Sequence, residues 1–113
     1  MELFEAIKQR HSIRKYTGQT ISEEKFKLLL EAAMFAPSAC NSRPWYFVVI
    51  KNQEKLTKIT EFMTFAGMLK TAKHAILVCA NLDSQKFGMY PQDCSAATQN
   101  ILLRAVELGL GTC

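Results

Sequence analysis

Apolar residues recur at two spacings along the chain, and the helical spacing predicts four helices. A short amphipathic helix is expected over Glu2–Gln9. Thr20 and Glu23 have the spacing of a capping box, so a second helix should begin there, and it should end near Pro37. The apolar face of this second helix is formed by Phe26, Leu29, Leu30, Ala33 and Met34.

Two further helices are predicted in the second half of the chain. Asn52 is placed to cap a short helix that ends at about Phe62. The clearest helical pattern begins near Asp93, and Gly109 is placed to end it in the left-handed conformation that suits glycine. Residues 63–73 fit neither pattern clearly.

Continuous apolar runs predict two buried strands, Trp45–Ile50 and Ala75–Ala80, of the kind found in parallel sheets. The order helix, helix, strand, helix, strand, helix predicts an α+β fold, an α/β sandwich in which helices cover a central sheet. Two strands make a poor sheet, and residues 109–113 stand where a third strand should begin. We therefore expect that C-terminal residues are missing from this sequence.

The 113 residues suit a single domain, residues 1–113, with a formal net charge of +4. Cations gather near the N-terminus at Lys8, Arg10, Arg14 and Lys15. Such a cluster suggests a local anionic ligand. A nucleic-acid partner is not expected, because no aromatic stacking platform or helix-turn-helix pattern accompanies the charges.

Other features argue against several classes of protein. The chain has no apolar run near 18 residues and no signal-like N-terminus, so we expect a cytoplasmic protein without a membrane partner. The four cysteines form no C-x-x-C pair, which predicts reduced thiols and no metal site. His74 is interpreted as a structural residue ahead of the second strand.

Two segments contain residue types suited to ligand binding. Arg10, Ser12 and Arg14 alternate, so an extended backbone would place them on one side, where two guanidiniums and a hydroxyl suit a phosphate or an electron-rich ring edge. The segment between Pro37 and Pro44 carries small and amide side chains that could approach a planar heterocycle. A solvated basic loop and an ordinary turn are the plainer alternatives.

Three sequence blocks together resemble the nitroreductase family in content, order and spacing: R-H-S-I-R-K-Y at 10–16, A-P-S-A-C-N-S-R-P-W-Y-F at 36–47, and Q-N-I-L-L-R-A-V-E-L-G-L-G-T-C at 99–113. The resemblance implies a nitroreductase-like fold that binds FMN non-covalently at the interface of a homodimer. It also implies ping-pong transfer of hydride from NADH or NADPH to a small acceptor, such as a nitroaromatic or a quinone.

The resemblance also assigns cofactor-binding residues: Arg10, His11 and Ser12 near the ribityl phosphate, Arg14 at the pyrimidine edge of the ring, and Pro37, Ser38 and Asn41 in a block that usually reaches the partner's flavin. A cation beside N1 and the C2 carbonyl would raise the reduction potential. Because flavin N5 carries the hydride, no catalytic nucleophile, acid or base is predicted in the protein.

The chain departs from the family pattern at its end. It resembles the N-terminal two-thirds of such an enzyme, whereas family members continue past the G-L-G-T-C block toward the flavin N5 and the partner subunit. The alternative function is therefore a flavin-binding or dimer-forming protein without turnover.

Overall fold

The chain folds into four α-helices and one two-stranded sheet, and the computed structural model describes residues 1–113. The elements in chain order are α1 (Leu3–Gln9), α2 (Glu23–Met34), β1 (Trp45–Ile50), α3 (Gln53–Ile59), β2 (Ala75–Ala80) and α4 (Tyr90–Glu107). Short 3₁₀ turns occupy Ala39–Asn41 and Gly67–Lys70. None of the helices combines the length and the apolar character needed to cross a membrane.

The start of α2 differs from the sequence prediction. Ser22, not Thr20, caps the helix, and its Oγ accepts a hydrogen bond from the Lys25 N–H at 3.2 Å. The predicted capping box was therefore wrong by two residues. The helix ends at Met34, close to the predicted end near Pro37.

The other helix ends were predicted more closely. Asn52 caps α3 as predicted, with its Oδ1 accepting from the Lys55 N–H at 3.0 Å, although α3 ends at Ile59 and not at Phe62. α4 begins at Tyr90, three residues before Asp93, because Pro91 in the first turn is compatible with a helix start. Gly109 has a φ of 73° just after α4, which confirms its predicted role.

β1 and β2 pair antiparallel, in the register Trp45↔Ala80 to Ile50↔Ala75, so the prediction of a parallel-type sheet was wrong. The two runs are apolar on both faces, which is the usual sign of parallel strands. Here only one face packs against helices. The opposite face leaves Tyr46, Val48 and Leu77 between 42% and 54% exposed.

The core lies between that packed sheet face and the helices α2 and α4. Eight buried residues form it: Phe26, Leu29, Ala33, Ala36, Trp45, Ala97, Ile101 and Ala105. The small alanines on both helices allow close approach, and Trp45, directly after Pro44, is the largest side chain of this core.

The C-terminal residues return to the N-terminal part of the chain. Ser12 and Thr112 form an isolated parallel bridge, and the Ile13 N–H donates to the Thr112 carbonyl at 2.8 Å. The expected third strand is therefore represented only by this bridge. α4 thus connects the segment around residues 37–44, at its N-terminal end, to the segment around residues 10–14, at its C-terminal end.

Candidate functional site

The first candidate region is a surface groove of about 540 Å³ where residues 10–16, here called the basic arm, meet residues 109–113, here called the glycine tail. Lys8, His11 and Ile13 line one side, and Val106 and the tail from Gly109 to Thr112 line the other. This volume lies within the range of small-molecule binding sites.

Alternation along the basic arm divides its side chains between two directions. His11 and Ile13 line the groove, whereas Arg10, Ser12 and Arg14 are not among the lining residues. Ser12 and Arg14 are exposed and Arg10 is half-buried, so all three present free polar groups beside the groove. All three are absent from the groove lining, whereas His11, which the resemblance groups with Arg10 and Ser12, lines it. That the three lie on one side of the arm stays a prediction.

His11 is held in a defined orientation at the edge of the groove. Its Nδ1 lies 2.8 Å from the Gln9 carbonyl oxygen. Because a carbonyl oxygen only accepts hydrogen bonds, this contact assigns the ring proton to Nδ1. In the neutral ring, Nε2 is then left as an acceptor.

The second candidate region is the segment Pro37–Pro44, here called the double-proline loop, which is held by its own hydrogen bonds. The Ser38 Oγ accepts from the Arg43 N–H at 3.0 Å, and the Asn41 Oδ1 accepts from the Arg43 Nε–H at 3.0 Å. The Asn41 N–H donates to the Ser38 carbonyl at 3.0 Å, and the Ser42 N–H donates to the Ala39 carbonyl at 3.0 Å.

These internal bonds decide what the double-proline loop can offer a ligand. The Ser38 hydroxyl oxygen and the Asn41 amide oxygen each accept a hydrogen bond from Arg43. The Ser38 O–H and the two Asn41 Nδ2 hydrogens are then free to donate. The loop therefore presents donors, which match an acceptor-rich group such as a phosphate or the carbonyl edge of a heterocycle.

The double-proline loop is also strained. Cys40, Asn41 and Arg43 have φ values of 52°, 53° and 47°, in the left-handed region. Asparagine tolerates this region, but for other non-glycine residues such a conformation costs of the order of 1–3 kcal/mol. Strain of this kind persists only where surrounding contacts enforce it. One such contact comes from α4, where the Asp93 Oδ1 accepts from the Ala39 N–H at 2.9 Å.

The two regions lie at opposite ends of α4. The double-proline loop contacts Asp93 in the first turn, and the groove reaches Val106 in the last turn. Asp93 and Val106 are thirteen positions apart in α4, so at 1.5 Å per residue these two contact points are about 20 Å apart along the helix. The structure thus gathers the predicted residues into two separate groups, one at each end of α4.

Two titratable groups near these regions are partly buried. Burial raises the pKa of the Tyr16 phenol, the nearby Cys113 thiol adds to this effect, and Arg14 opposes it, so the arm and the tail end lie close together. Burial also raises the pKa of the Cys94 thiol, and the neighbouring Asp93 and Cys79 raise it further, which favours the protonated form. All four cysteines are free, and no cluster of three or more His, Cys, Asp or Glu side chains is arranged to hold a metal ion.

Sequence reasoning missed Arg43 and Asp93. Arg43 organises the double-proline loop through its backbone N–H and its guanidinium. Asp93 is only 4% exposed and contacts a residue 54 positions away. The available signal was an acidic residue at an inward-facing position of an otherwise apolar helix face, which is unusual because unpaired buried carboxylates are costly.

Comparison with known proteins gives a consistent result. Residues 7–81 match the model of the nitroreductase family. A protein of Methanothermobacter thermautotrophicus, provisionally named NADH dehydrogenase/NAD(P)H nitroreductase, is 49% identical over 112 residues, which cover 98% of this chain and 59% of that protein.

Solved structures agree in fold. A protein of Clostridium acetobutylicum, provisionally named NADH oxidase, superposes with a TM-score of 0.90 at 45% identity, covering 94% of this chain and 64% of that one. A Desulfovibrio desulfuricans protein, provisionally named nitroreductase and crystallised with FMN, has a TM-score of 0.90 at 35% identity, covering 96% and 64%.

The chain thus spans about three-fifths of the length of these relatives. The family model covers more than half of the chain and includes the basic arm, the double-proline loop and both strands. On this evidence the chain belongs to the nitroreductase family.

Proposed function

We propose that this protein is an FMN-dependent oxidoreductase that takes hydride from NADH or NADPH and passes it to a small acceptor, such as a nitroaromatic or a quinone. The observation that carries the proposal is the Ser12–Thr112 bridge, which joins two of the three sequence blocks that resemble the family and leaves the side chains of Arg10 and Arg14 available to a ligand. The FMN complex of the similar Desulfovibrio desulfuricans protein supports the choice of cofactor.

The residues of the two regions fit FMN. Arg10, Arg14 and Ser12 supply cations and a hydroxyl without intramolecular partners, which suits a phosphate and an electron-rich ring edge. At the opposite end of α4, Ser38 and Asn41 present donors. We assign Arg10, His11, Ser12, Arg14, Pro37, Ser38 and Asn41 to cofactor binding.

Bound FMN would supply the hydride chemistry, and the protein's own residues would supply position and charge. Arg14 would hold positive charge at the ring edge. Ser38 and Asn41, fixed by Arg43, would donate hydrogen bonds without reorganising. No side chain is assigned to proton abstraction, since nothing in either region combines a base with a nucleophile.

We further propose that the site is completed by two copies of the chain. Because the arm and the loop meet α4 at points about 20 Å apart along the helix, we propose that one flavin ring is not enclosed by both regions of the same chain. A homodimer would bring the loop of one copy to the arm of its partner. Large exposed apolar side chains, among them Phe35 at 80% and Phe65 at 92%, support such an association.

The compartment we propose is the cytoplasm, where reduced nicotinamides are available as donors. The four free thiols suit a reducing environment. Alternate binding of the nicotinamide and the acceptor over the same ring face would give ping-pong kinetics.

An anaerobic absorbance experiment tests this function. The purified protein should show a visible flavin band after reconstitution with FMN, and NADH or NADPH should bleach it. Reoxidation by a nitroaromatic or a quinone would then identify the acceptor class. A bound flavin that neither nicotinamide bleaches would contradict the enzyme and favour a flavin-binding protein without turnover.

A matched variant separates binding from reduction. Arg10→Gln with Arg14→Gln removes both guanidiniums of the basic arm and should abolish flavin retention. Lys55→Gln with Lys58→Gln removes the same charge from α3, which packs against the turn at Gly67–Lys70 and belongs to neither region, and should retain the flavin. Equal flavin content in the two double variants would contradict the assignment of the arm.

A further inference from the structure

Asp93 is a buried carboxylate for which the proposed function has no use. Only 4% of the residue is exposed, and its Oδ2 is buried without a hydrogen-bond partner. The three ion pairs of the structure join other residues, so no cation neutralises it. Its position in the first turn of α4 provides partial compensation from the helix dipole.

The one hydrogen bond that Asp93 accepts from another segment comes from the double-proline loop. Its Oδ1 receives the Ala39 N–H at 2.9 Å. Asp93 Oδ1 acts as the acceptor in this contact. It therefore favours the orientation of the Ser38–Ala39 peptide that points the N–H toward it, because the flipped orientation would place the Ser38 carbonyl oxygen against a second acceptor oxygen.

That peptide orientation determines the rest of the loop. In a planar trans peptide the C=O points opposite to the N–H, so the Ser38 carbonyl faces away from Asp93. This carbonyl accepts the Asn41 N–H at 3.0 Å and closes the turn through Cys40 and Asn41. With the turn closed, Asn41 Oδ1 accepts a hydrogen bond from Arg43 Nε.

We infer that Asp93 is the positioning residue of the double-proline loop, and that it holds the strained turn in the one conformation that presents the donors of Ser38 and Asn41 to FMN. The inference rests on the proposed function for its ligand. Its structural part, the hold of Asp93 over the loop, stands on the Ala39 contact alone. Asp93 itself is not assigned to touch the flavin.

Three variants test the contact from both sides. D93A removes the acceptor, and D93N keeps an acceptor oxygen of the same shape. A39P removes the donor instead. Ala39 is the first residue of a 3₁₀ turn, and Ser38 before it has an extended backbone with φ −142° and ψ 154°. This is the conformation that a residue preceding proline prefers, so a proline is compatible with position 39. I101V is the matched control, because it trims the core of α4 without touching the loop.

The first readout is the Kd for FMN, measured by quenching of flavin fluorescence with the apoprotein. D93A and A39P should each weaken binding about tenfold or more, because each leaves a polar group of the contact unsatisfied. D93N should stay within about threefold of the unaltered protein, and I101V within about twofold. The double variant D93A/A39P should lose no more than the worse single variant, since both remove one bond.

The second readout needs no flavin. Amide hydrogen exchange of the apoprotein should show Ala39, Asn41 and Ser42 losing protection in D93A but not in I101V. A purely structural role for Asp93 would lower the protection of the whole of α4 and leave the loop amides no worse than the rest.

The outcomes separate the two proposals. The inference is overturned if D93A binds FMN as tightly as I101V does. It is also overturned if the Ala39 amide of D93A stays protected from hydrogen exchange. If D93A does not fold, unchanged FMN binding by A39P overturns it in the same way. If the unaltered protein fails to bind FMN, the proposed function falls, and the exchange of the loop amides alone decides whether Asp93 holds the loop.

Discussion

The double-proline loop and the basic arm carry the two groups of candidate cofactor-binding residues, yet they are built differently. In the loop, Ser38 and Asn41 are fixed by Arg43, and the strained backbone is tied to α4. In the arm, the backbone is tied to the glycine tail by the Ile13–Thr112 bond, and the guanidiniums are left without partners.

The difference indicates two ways of contributing to one site. Fixed donors bind a rigid ring with little free-energy cost of reorganisation, because they already hold their bound orientation. Free cations on an exposed segment attract a charged group from a distance and adjust to it. We therefore expect core changes near the loop to act through structure, and charge changes in the arm to act through affinity.

The largest expected effect comes from Trp45→Ala, which breaks the support of the loop. Trp45 follows Pro44 directly and lies in the core, so its truncation should lower the free energy of unfolding by about 3–5 kcal/mol. Urea denaturation measures the loss. Tyr46→Ala, one residue further and 54% exposed, should cost less than about 1 kcal/mol.

The same pair tests whether the two regions are independent. In Trp45→Ala the Ala39 amide should exchange faster, while the Ile13 amide in the arm keeps most of its protection. Equal loss of protection at both amides would show that loop and arm unfold together.

Next in size is Arg14→Gln, which should weaken FMN binding about tenfold because a charge-assisted hydrogen bond is lost. Lys15→Gln removes the same charge from the neighbouring exposed residue and should change the Kd by less than about threefold. Fluorescence titration measures both. We also expect Arg14→Gln to lower the reduction potential of bound flavin, and an unchanged potential would argue against its place at the ring.

Two glycines of the tail should respond to alanine for different reasons. A Cβ on Gly111 would lie 3.2 Å from the Ile13 Cδ1 and Cγ2, whereas Gly109 has open space but a φ of 73°. Each substitution should cost about 1 kcal/mol. Ile13→Val should restore part of the loss in Gly111→Ala and none in Gly109→Ala, as measured by urea denaturation.

The smallest effect is a pH dependence of stability centred on His74, whose ring makes an edge-to-face contact with Phe26 at a distance of 5.1 Å between ring centroids. Burial lowers the pKa of His74, and Lys51 and Lys73 lower it further. The unfolded chain then binds more protons below about pH 6.5, so this contribution to stability is full above that pH and declines as the pH falls.

Urea midpoints at about pH 7.5 and about pH 5.5 should therefore differ slightly in favour of the higher pH. His74→Gln should remove this part of the difference, and Lys51→Gln should reduce it, since one repelling cation is gone. His74 precedes β2 at the sheet end opposite Trp45, so the amides of Ala39 and Ile13 should be unaffected. A steeper dependence in His74→Gln would contradict the assignment.

Much of the fold could be predicted because its signals are local. The Asn52 cap, Gly109 and the two apolar strands each depend on a few neighbouring residues. Strand direction could not be predicted, because apolar residues on both faces are compatible with either pairing. The choice of Ser22 over Thr20 depends on where packing of α2 sets the first turn.

The candidate site could be predicted only in part, because its organisation depends on long-range contacts. The alternation of Arg10, Ser12 and Arg14 follows from an extended backbone, which is a local property. The contact between Asp93 and Ala39 joins residues 54 positions apart, and no local pattern reports it. The roles of the individual cofactor residues come from the family resemblance and stay predictions.

α4 has a consequence for how length variation can be tolerated in this chain. The helix sets both the spacing and the relative rotation of the contacts at Asp93 and Val106. One residue inserted between them would turn everything beyond it by about 100° and advance it by about 1.5 Å. Insertions should therefore be tolerated in the turns at 60–74 and 81–89. Between Asp93 and Val106, an insertion or a deletion should disrupt one of the two contacts.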